Sequence, residues 1–568
     1  MLDVKPRMLS YQLYKKSKST LYTKFQIPKR SGGTREICAP EKGLKLIQYR
    51  LSLLLQNCVD EINTAKFPSA FAAGNRFGIA HGFKPKHSIL TNGQKHKRRR
   101  YVFNVDLHDF FGCINFGRIR GFFISDKNFL LSPPVATVIA QIACFENKLP
   151  QGSPCSPIIS NLIGHILDIH LVRLAAATGC TYTRYADDLT FSTNKQVFPS
   201  RLAITDTASN HSWVPGDELT RLVVKSGFRI NAAKTRMQYM DSRQEVTGLS
   251  VNRRVNSRKD YRNLVRAMVD RLCRTGSFEQ KQEAIGPNST KTKLSVQGNP
   301  SELAGMLSFI DLVDRFNDGI HKAVKPVVAA PTGRAKLYRQ FYIFDKFFTT
   351  RLPVILCEGP SDSVYLSHAI RRLVGEFPGL SAVDAKGKHN LKVSLHNYSK
   401  ANRNRILNLS GGTGQLASFI VNYKQLVSTK FKAPLGGHPI IVLIDNDSGR
   451  TDFISQVKKA TKVEIDSTAD FVHIAANLYV VLTPLIHPNQ DSYIELCFDE
   501  STRAIQLNGK TFSPLNKFDT SINYGKIAFA KEVIRPKSNE IDFSGFLPLL
   551  NRLQQVIADY VIKISPSA

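Results

Sequence analysis

The sequence predicts a multidomain protein of α/β and α+β class, in which a front half of mixed helices and hairpins precedes a parallel α/β domain. Three observations predict it. The 568 residues exceed what one hydrophobic core organises, so two or three domains are expected. In the front half, apolar runs of strand length alternate with longer runs of helical period, and two of the short strands flank a pair of aspartates. In the back half, residues 354–357 and 440–444 are uninterrupted apolar runs bounded by turns, the pattern of strands buried on both faces.

Residues 22–40 read as a strand, a turn through Lys29, Gly33 and Thr34, and a returning strand, because paired glycines supply the positive φ of a tight reversal. A helix follows over 44–60, then a loop-rich stretch over 67–86. The basic run from Lys95 to Arg100 leads into a strand at 101–105, which Asp106 closes. Over 156–177, Ile158, Ile159, Leu162, Ile163, Ile166, Leu167 and Leu171 mark a buried helix, with Gly179 as its C-terminal cap. Residues 181–185 and 189–193 are two strands around Ala186, Asp187 and Asp188, a hairpin with carboxylates at its tip. A helix over 217–226 stops at Gly227, and strands run through Asn231 and around 246–251. Amphipathic helices are expected over 257–275 and 301–317, with a polar Gly/Pro/Ser/Lys stretch between them. The first functional unit ends near Asp318, and 319–350 bridges to the α/β domain through an aromatic-rich helix.

The formal net charge is +33, and 27 of those charges lie in residues 1–350. A polyanion is the natural partner of that half, and nucleic acid is the first candidate. Nine cysteines stand singly without a CxxC pair, which argues for a reducing compartment and against structural zinc. No signal-peptide pattern opens the chain and no eighteen apolar residues run together, so a cytoplasmic protein without a membrane partner is expected.

Magnesium takes hard oxygen ligands, so converging carboxylates are the signature of its chemistry. Asp106, Asp187 and Asp188 sit on strands that one sheet can bring together. Taken singly, adjacent aspartates are more often a solvated turn, and Asp106 alone could cap a helix. In the back half, Glu358 follows one apolar strand, Asp362 lies four residues on at a helix start, and Asp445 and Asp447 follow the other strand. Carboxylates at the C-terminal ends of parallel strands converge on one crevice.

These residues carry a family resemblance. Tyr185-Ala186-Asp187-Asp188 resembles the central motif of reverse transcriptases, and Asn104-Val105-Asp106-Leu107-His108-Asp109-Phe110-Phe111 resembles their first acidic motif. The resemblance implies a right-hand polymerase with fingers and palm over 1–250, a thumb over 251–318 and a linker over 319–350. It implies that Asp106, Asp187 and Asp188, with the carbonyl of Leu107, hold two Mg2+ ions, and that Phe111 selects deoxynucleotides by blocking a 2′-hydroxyl. Gln151 and Gly152 resemble the motif that positions template and nucleotide, Lys29 and Arg35 match residues that clamp the triphosphate, and Lys234 matches a lysine near the leaving pyrophosphate.

Val246-Thr247-Gly248 and the segment from Asn92 to His96 are similar to motifs of bacterial retron reverse transcriptases, which normally carry Ala where this chain has Gly93. Retron enzymes copy a cognate structured non-coding RNA from an internal 2′-hydroxyl into RNA-linked single-stranded DNA, with dNTPs as substrates. That implies nucleic-acid contacts at Asn92, His96, Val246, Thr247 and Gly248. Arg253, Arg254, Arg258, Lys259, Arg262 and Arg266 fit a thumb that tracks a duplex, or else a solvated basic face.

Residues 351–568 resemble a Rossmann-like TOPRIM domain with a C-terminal extension. The resemblance rests on Glu358-Gly359, on Asp445-Asn446-Asp447, and on Leu409-Ser410-Gly411-Gly412 as an intervening strand and glycine turn. It implies one or two Mg2+ ions held by Glu358, Asp445 and Asp447, a nuclease effector and a role in antiphage defence. The alternatives are another bacterial or group II intron-like reverse transcriptase, and a C-terminal half that is a non-catalytic assembly scaffold. A homo-oligomer is compatible with either.

Overall fold

The computed structural model describes residues 2–29, 33–66, 79–206, 212–285, 291–321, 332–398, 401–485, 490–515 and 517–565. Parts of the expected 29–34 turn, of the 67–86 loop and of the 319–350 bridge lie outside them. The chain divides into two compact units, Met1–Lys259 with Leu312–Lys325, and Asp260–Asp311 with Pro326–Ala568.

The first unit is built on a four-stranded antiparallel sheet. Its strands are β3 (Tyr101–Leu107), β4 (Thr181–Tyr185), β5 (Asp188–Thr193) and β6 (Ile230–Tyr239), in the order β4-β5-β3-β6. Ahead of it, β1 (Tyr22–Pro28) and β2 (Thr34–Pro40) pair as an exposed antiparallel hairpin. Against the sheet lie helices α1 (Lys42–Lys66) and α3 (Ser156–Thr178), with the short α2 (Ile89–Lys95) between them in sequence. Ile47, Leu51 and Leu55 of α1, Phe103 and Val105 of β3, and Ile159, Ile163, Leu167 and Leu171 of α3 share one core.

Helix α3 is long and apolar enough by composition to cross a membrane, yet about half of it (56%) is buried in the protein, which accounts for its apolarity. It stops where expected, at Gly179 with φ 65°, as the Cys180 N–H closes back on the Ala175 carbonyl at 2.8 Å.

The second unit contains a five-stranded sheet of β7 (Val354–Leu356), β8 (Ser394–Leu395), β9 (Ile440–Ile444), β10 (Val472–Ala475) and β11 (Leu478–Leu482), ordered β8-β7-β9-β11-β10. All pairings are parallel except that of β10 with β11. Helices α4 (Pro360–Arg372) and α5 (Thr413–Thr429) connect its strands, and α6 (Leu547–Ile564) ends the described chain. Alternate residues of the sheet feed two cores: Ile440, Val442 and Ile444 face one with Leu416 and Ile420 of α5, and Ile441 and Leu443 face the other with Tyr365 and Leu550.

Three expectations change. Leu409–Gly412 is not a strand; it is a loop entering α5, and the strand of this sheet that falls between β7 and β9 in sequence is β8, too short and polar to announce itself. The polar stretch after Thr275 forms an antiparallel hairpin, Glu279–Ile285 with Lys291–Gln297, whose strands are mostly charged and polar. Asp260–Asp311, most of the segment read as a thumb, clusters with the second unit, where Val265, Val269, Leu303 and Leu307 share a core with Phe341, Phe344 and Phe347 of the aromatic bridge.

Candidate active sites

Asp106 lies directly opposite Asp188 in the β3–β5 register, and the Leu107 N–H donates to the Asp187 carbonyl at 3.0 Å. The three carboxylates thus meet at one end of the sheet, as the sequence reading expected. Like charges on opposed residues destabilise a sheet, so this end carries a cost that folding alone does not explain. Asp106, 7% exposed, accepts from Asn231 Nδ2 at 3.1 Å and from Lys234 Nζ at 2.9 Å, both on β6.

Burial, then Asp187 and Asp106, pushes the Asp188 carboxyl up to about 6, while Lys234 and Arg236 pull the other way. Asp187 is raised too, by burial and by Asp106, against Lys234 and Arg35. Among the described residues no three such side chains close around one point at either acidic site, and here Asp106 is engaged by Lys234 and Asn231. The donor set nevertheless fits a divalent cation: three crowded oxygen acids in a half-buried site need more positive charge than one contacting lysine supplies.

The tip is braced from beneath by residues that motif reading did not find. Arg184, with no exposed side-chain surface, forks onto Asp168 of α3 at 2.9 and 2.8 Å and donates to the Ala186 carbonyl at 3.2 Å. Tyr182 Oη also donates to Asp168. Ala186 has φ 56°, so the turn is held in a conformation that L-residues rarely adopt. Gly82 lies against it: a Cβ there would stand 2.5 Å from the Ala186 nitrogen. Their signal is tertiary, a helix residue paired with a strand residue, and no local pattern announces it.

Asn92 and His96 are fully buried, which corrects the expectation that they touch nucleic acid. Thr183 gives its only hydroxyl proton to Asn92 Oδ1 at 2.6 Å, so it accepts from His96 Nε2–H at 2.7 Å, and His96 Nδ1 accepts from Ser192 at 2.7 Å. The pair fastens α2 to the hairpin strands. Burial first, then Arg99, drops His96 to about 3. Val246 is likewise core, against Val102 and Val251, so its side chain holds the frame instead of facing a surface. Thr247 and Gly248, at φ 48° and 79°, form the tight turn between Glu245–Val246 and Leu249–Ser250.

Phe111 is half-buried and packs edge-on against Phe110 and Phe83. Gly152 has φ 116°, and a Cβ on it would meet the Cys38 carbonyl of β2 at 2.8 Å. The neighbouring Gln151 carbonyl accepts from the Cys38 N–H. Arg35 is exposed on β2 yet near enough to lower Asp187, whereas Lys29 is exposed at the end of β1 and no contact ties it to the carboxylates. Arg253, Arg254 and Lys259 are exposed, while Arg258 pairs with Glu245 at 3.6 Å.

A second acidic site lies at the C-terminal ends of β7 and β9. Glu358 Oε1 accepts from the Asp445 N–H at 2.9 Å, and Asp445 Oδ1 accepts from the Ile494 N–H at 3.0 Å. Asp362 caps α4 by accepting from the Gly359 N–H at 2.8 Å, and Asp447 accepts from the Gly449 N–H at 2.9 Å. The Gly412 N–H reaches the Glu358 carbonyl at 2.8 Å, and Gly411 at φ 120° permits that close approach. Glu358, Asp362, Asp445 and Asp447 line one crevice of about 980 Å³. Burial and neighbouring carboxylates push Glu358 up to about 7 and Asp445 well above its usual range. Such a donor set also fits a hard divalent cation. Lys526, to which sequence reading gave no role, lines the same crevice.

Residues 27–253 match the family model described as Reverse transcriptase (RNA-dependent DNA polymerase). The Retron Mx65 reverse transcriptase of Myxococcus xanthus is 33% identical over 276 residues, covering 45% of this chain and 57% of that protein. The Retron Mx162 reverse transcriptase of the same organism is 35% identical over 314 residues (52% and 58%), and the Retron Ec86 reverse transcriptase of Escherichia coli 33% over 221 residues (38% and 58%). The chain spans a little over half the length of these relatives. The sheet that gathers Asp106, Asp187 and Asp188 therefore lies within the segment that matches the reverse transcriptase model and is similar in sequence to the retron reverse transcriptases.

Proposed function

We propose that the chain is a magnesium-dependent, RNA-directed DNA polymerase of retron type, acting in the cytoplasm. The observation that carries the reading is the register of Asp106 against Asp188 with Asp187 at the adjoining tip. Asp106, Asp187, Asp188 and the Leu107 carbonyl would hold two Mg2+ ions, which when bound supply the Lewis acidity that phosphoryl transfer requires. The chain's own residues do the positioning. Lys234 balances Asp106 and stands where a leaving pyrophosphate needs a cation, Arg35 faces the triphosphate, and Phe111 gives the incoming sugar a flat apolar floor.

The retron assignment, with a cognate structured RNA as template and RNA-linked DNA as product, is supported by the motifs at 92–96 and 246–248 and by the relatives. Sequencing nucleic acid that copurifies with the protein from its native host tests it. The expected result is single-stranded DNA joined to RNA; unlinked RNA alone favours an enzyme of group II intron type.

The second site supports a second activity, hydrolysis of phosphodiesters by a TOPRIM-like domain serving as an antiphage effector. Glu358, Asp445 and Asp447 at adjacent parallel strand ends favour it over a scaffold. Asp445 and Asp447 would hold Mg2+, which when bound supplies Lewis acidity at the scissile phosphate, and Glu358 in the same crevice would protonate the departing sugar oxygen. Cleavage of DNA or RNA by the full chain is expected to need Mg2+ and to vanish in Asp447→Ala; cleavage that survives the substitution contradicts the reading.

A further inference from the structure

The carboxylates of the second site leave one question of charge. A phosphodiester brought against Glu358, Asp445 and Asp447 meets repulsion on every side that a cation does not cover. Lys526 stands in that crevice, 28% exposed, on a segment separated from Glu358 by more than 160 residues. Its Nζ lies 3.1 Å from Oε2 of Glu495, whose side chain has no exposed surface. Among the described residues, the cation set against this fully buried carboxylate is Lys526, and no other side chain hydrogen-bonds to either of its oxygens. Burying a charge in that way is costly unless the partner is held for a purpose.

The segment that carries Glu495 is fixed to the acidic site itself, since the adjoining Ile494 N–H donates to Asp445. The backbone of Lys526 is fixed as well, its carbonyl accepting from Tyr365 Oη at 3.1 Å. Tyr493, Phe518 and Lys531 line the same crevice, and Lys526 Nζ lies over the Tyr493 ring, 5.9 Å from its centroid.

We infer that Lys526, oriented by the buried carboxylate of Glu495, is the phosphate-contacting cation of the second site, and that its ligand is a phosphodiester of a nucleic-acid strand. The inference rests on the phosphodiesterase reading of that site. In the reaction, the oxygen of water forms the new P–O bond while the P–O bond to the sugar breaks. The electron pair leaves on the sugar oxygen, which takes a proton from Glu358, and the attacking water releases a proton to solvent. Lys526 balances the charge that accumulates on the non-bridging oxygens as this happens. Burial alone would lower the lysine, yet Glu495 and Asp445 outweigh it, so the amine stays charged at neutral pH.

Two readouts on the full-length protein test this. In the first, accessible amines of an Asp447→Ala variant are acetylated with and without a phosphorothioate single-stranded oligonucleotide, and labelling is read residue by residue by mass spectrometry. Labelling of Lys526 is expected to fall several-fold with the oligonucleotide; unchanged labelling overturns the inference whether or not the protein cleaves. In the second, Lys526→Met is expected to lower kcat for cleavage about 100-fold with KM changed less than threefold, Lys526→Arg to recover a large part, and Glu495→Gln to fall between. Thermal melts report that each variant is folded. Cleavage by folded Lys526→Met within threefold of wild type overturns the inference and leaves the nuclease reading standing. Protection of Lys526 in a wild-type protein that cleaves nothing sinks the nuclease reading and leaves the phosphate contact standing.

Discussion

Arg184 carries a full charge beneath the aspartate tip with no solvent contact, and Asp168 answers it with both oxygens. A paired buried charge adds little net stability, but removing one partner strands the other, at about 3–5 kcal/mol. Asp168→Ala is therefore expected to lower the thermal midpoint of the full chain by several degrees. It should also depress DNA synthesis, because Arg184 no longer holds the Ala186 carbonyl. A midpoint within a degree of wild type would show that the pair is dispensable. Gly82→Ala tests the same tip from the other side: its methyl must displace the Ala186 backbone, and a shift of about 1 Å at a carboxylate with the proposed catalytic role costs on the order of 100-fold in rate. Primer extension by the folded variant measures it.

At the scale of elements, α2 is fastened to β4 and β5 by a histidine that the fold keeps neutral. His96 has a folded-state pKa of about 3 against 6.5 for the free group, so below pH 6.5 the unfolded chain takes up a proton that the native protein refuses. Its effect on stability is absent above pH 6.5 and grows as pH falls toward the folded value, by up to about 1.4 kcal/mol per pH unit. His81, lowered in the same direction, adds to it. The thermal midpoint is expected to fall between pH 6.5 and 4.5, and His96→Gln should flatten that dependence by roughly half, even if it lowers the midpoint at pH 7. An unchanged slope would place the acid sensitivity elsewhere.

The elements also show what was legible. Helix α3 and the hairpin of β4 and β5 could be read because their signals are local: an apolar stripe with a glycine cap, and two short strands around an acidic turn. The Glu279–Ile285 and Lys291–Gln297 hairpin could not, because strands rich in Lys, Gln and Glu, with only Leu294 and Val296 alternating, leave too short a period to detect. Asn92, His96 and Val246 stood in a readable motif, but a motif does not distinguish a residue that touches the ligand from one that holds the frame.

At the scale of the molecule, two carboxylate sites arise from two different sheets, one antiparallel with acids on opposed strands, the other parallel with acids at strand ends. Both sites could be anticipated, because strand ends are where side chains leave the pleat and converge. Asp168 with Arg184, and Glu495 with Lys526, could not, since each pair forms only when distant segments fold together. At the first site, we propose, Asp106, Asp187 and Asp188 together support templated DNA synthesis. That role is tested most directly by extending a DNA primer on an RNA template with Mg2+ and dNTPs, comparing wild type with Asp188→Asn, a nearly isosteric change that removes one carboxylate. Synthesis is expected to fall by on the order of 10³-fold while the thermal midpoint holds or rises, because a crowded charge has been relieved. Wild-type synthesis by the folded variant would contradict the account.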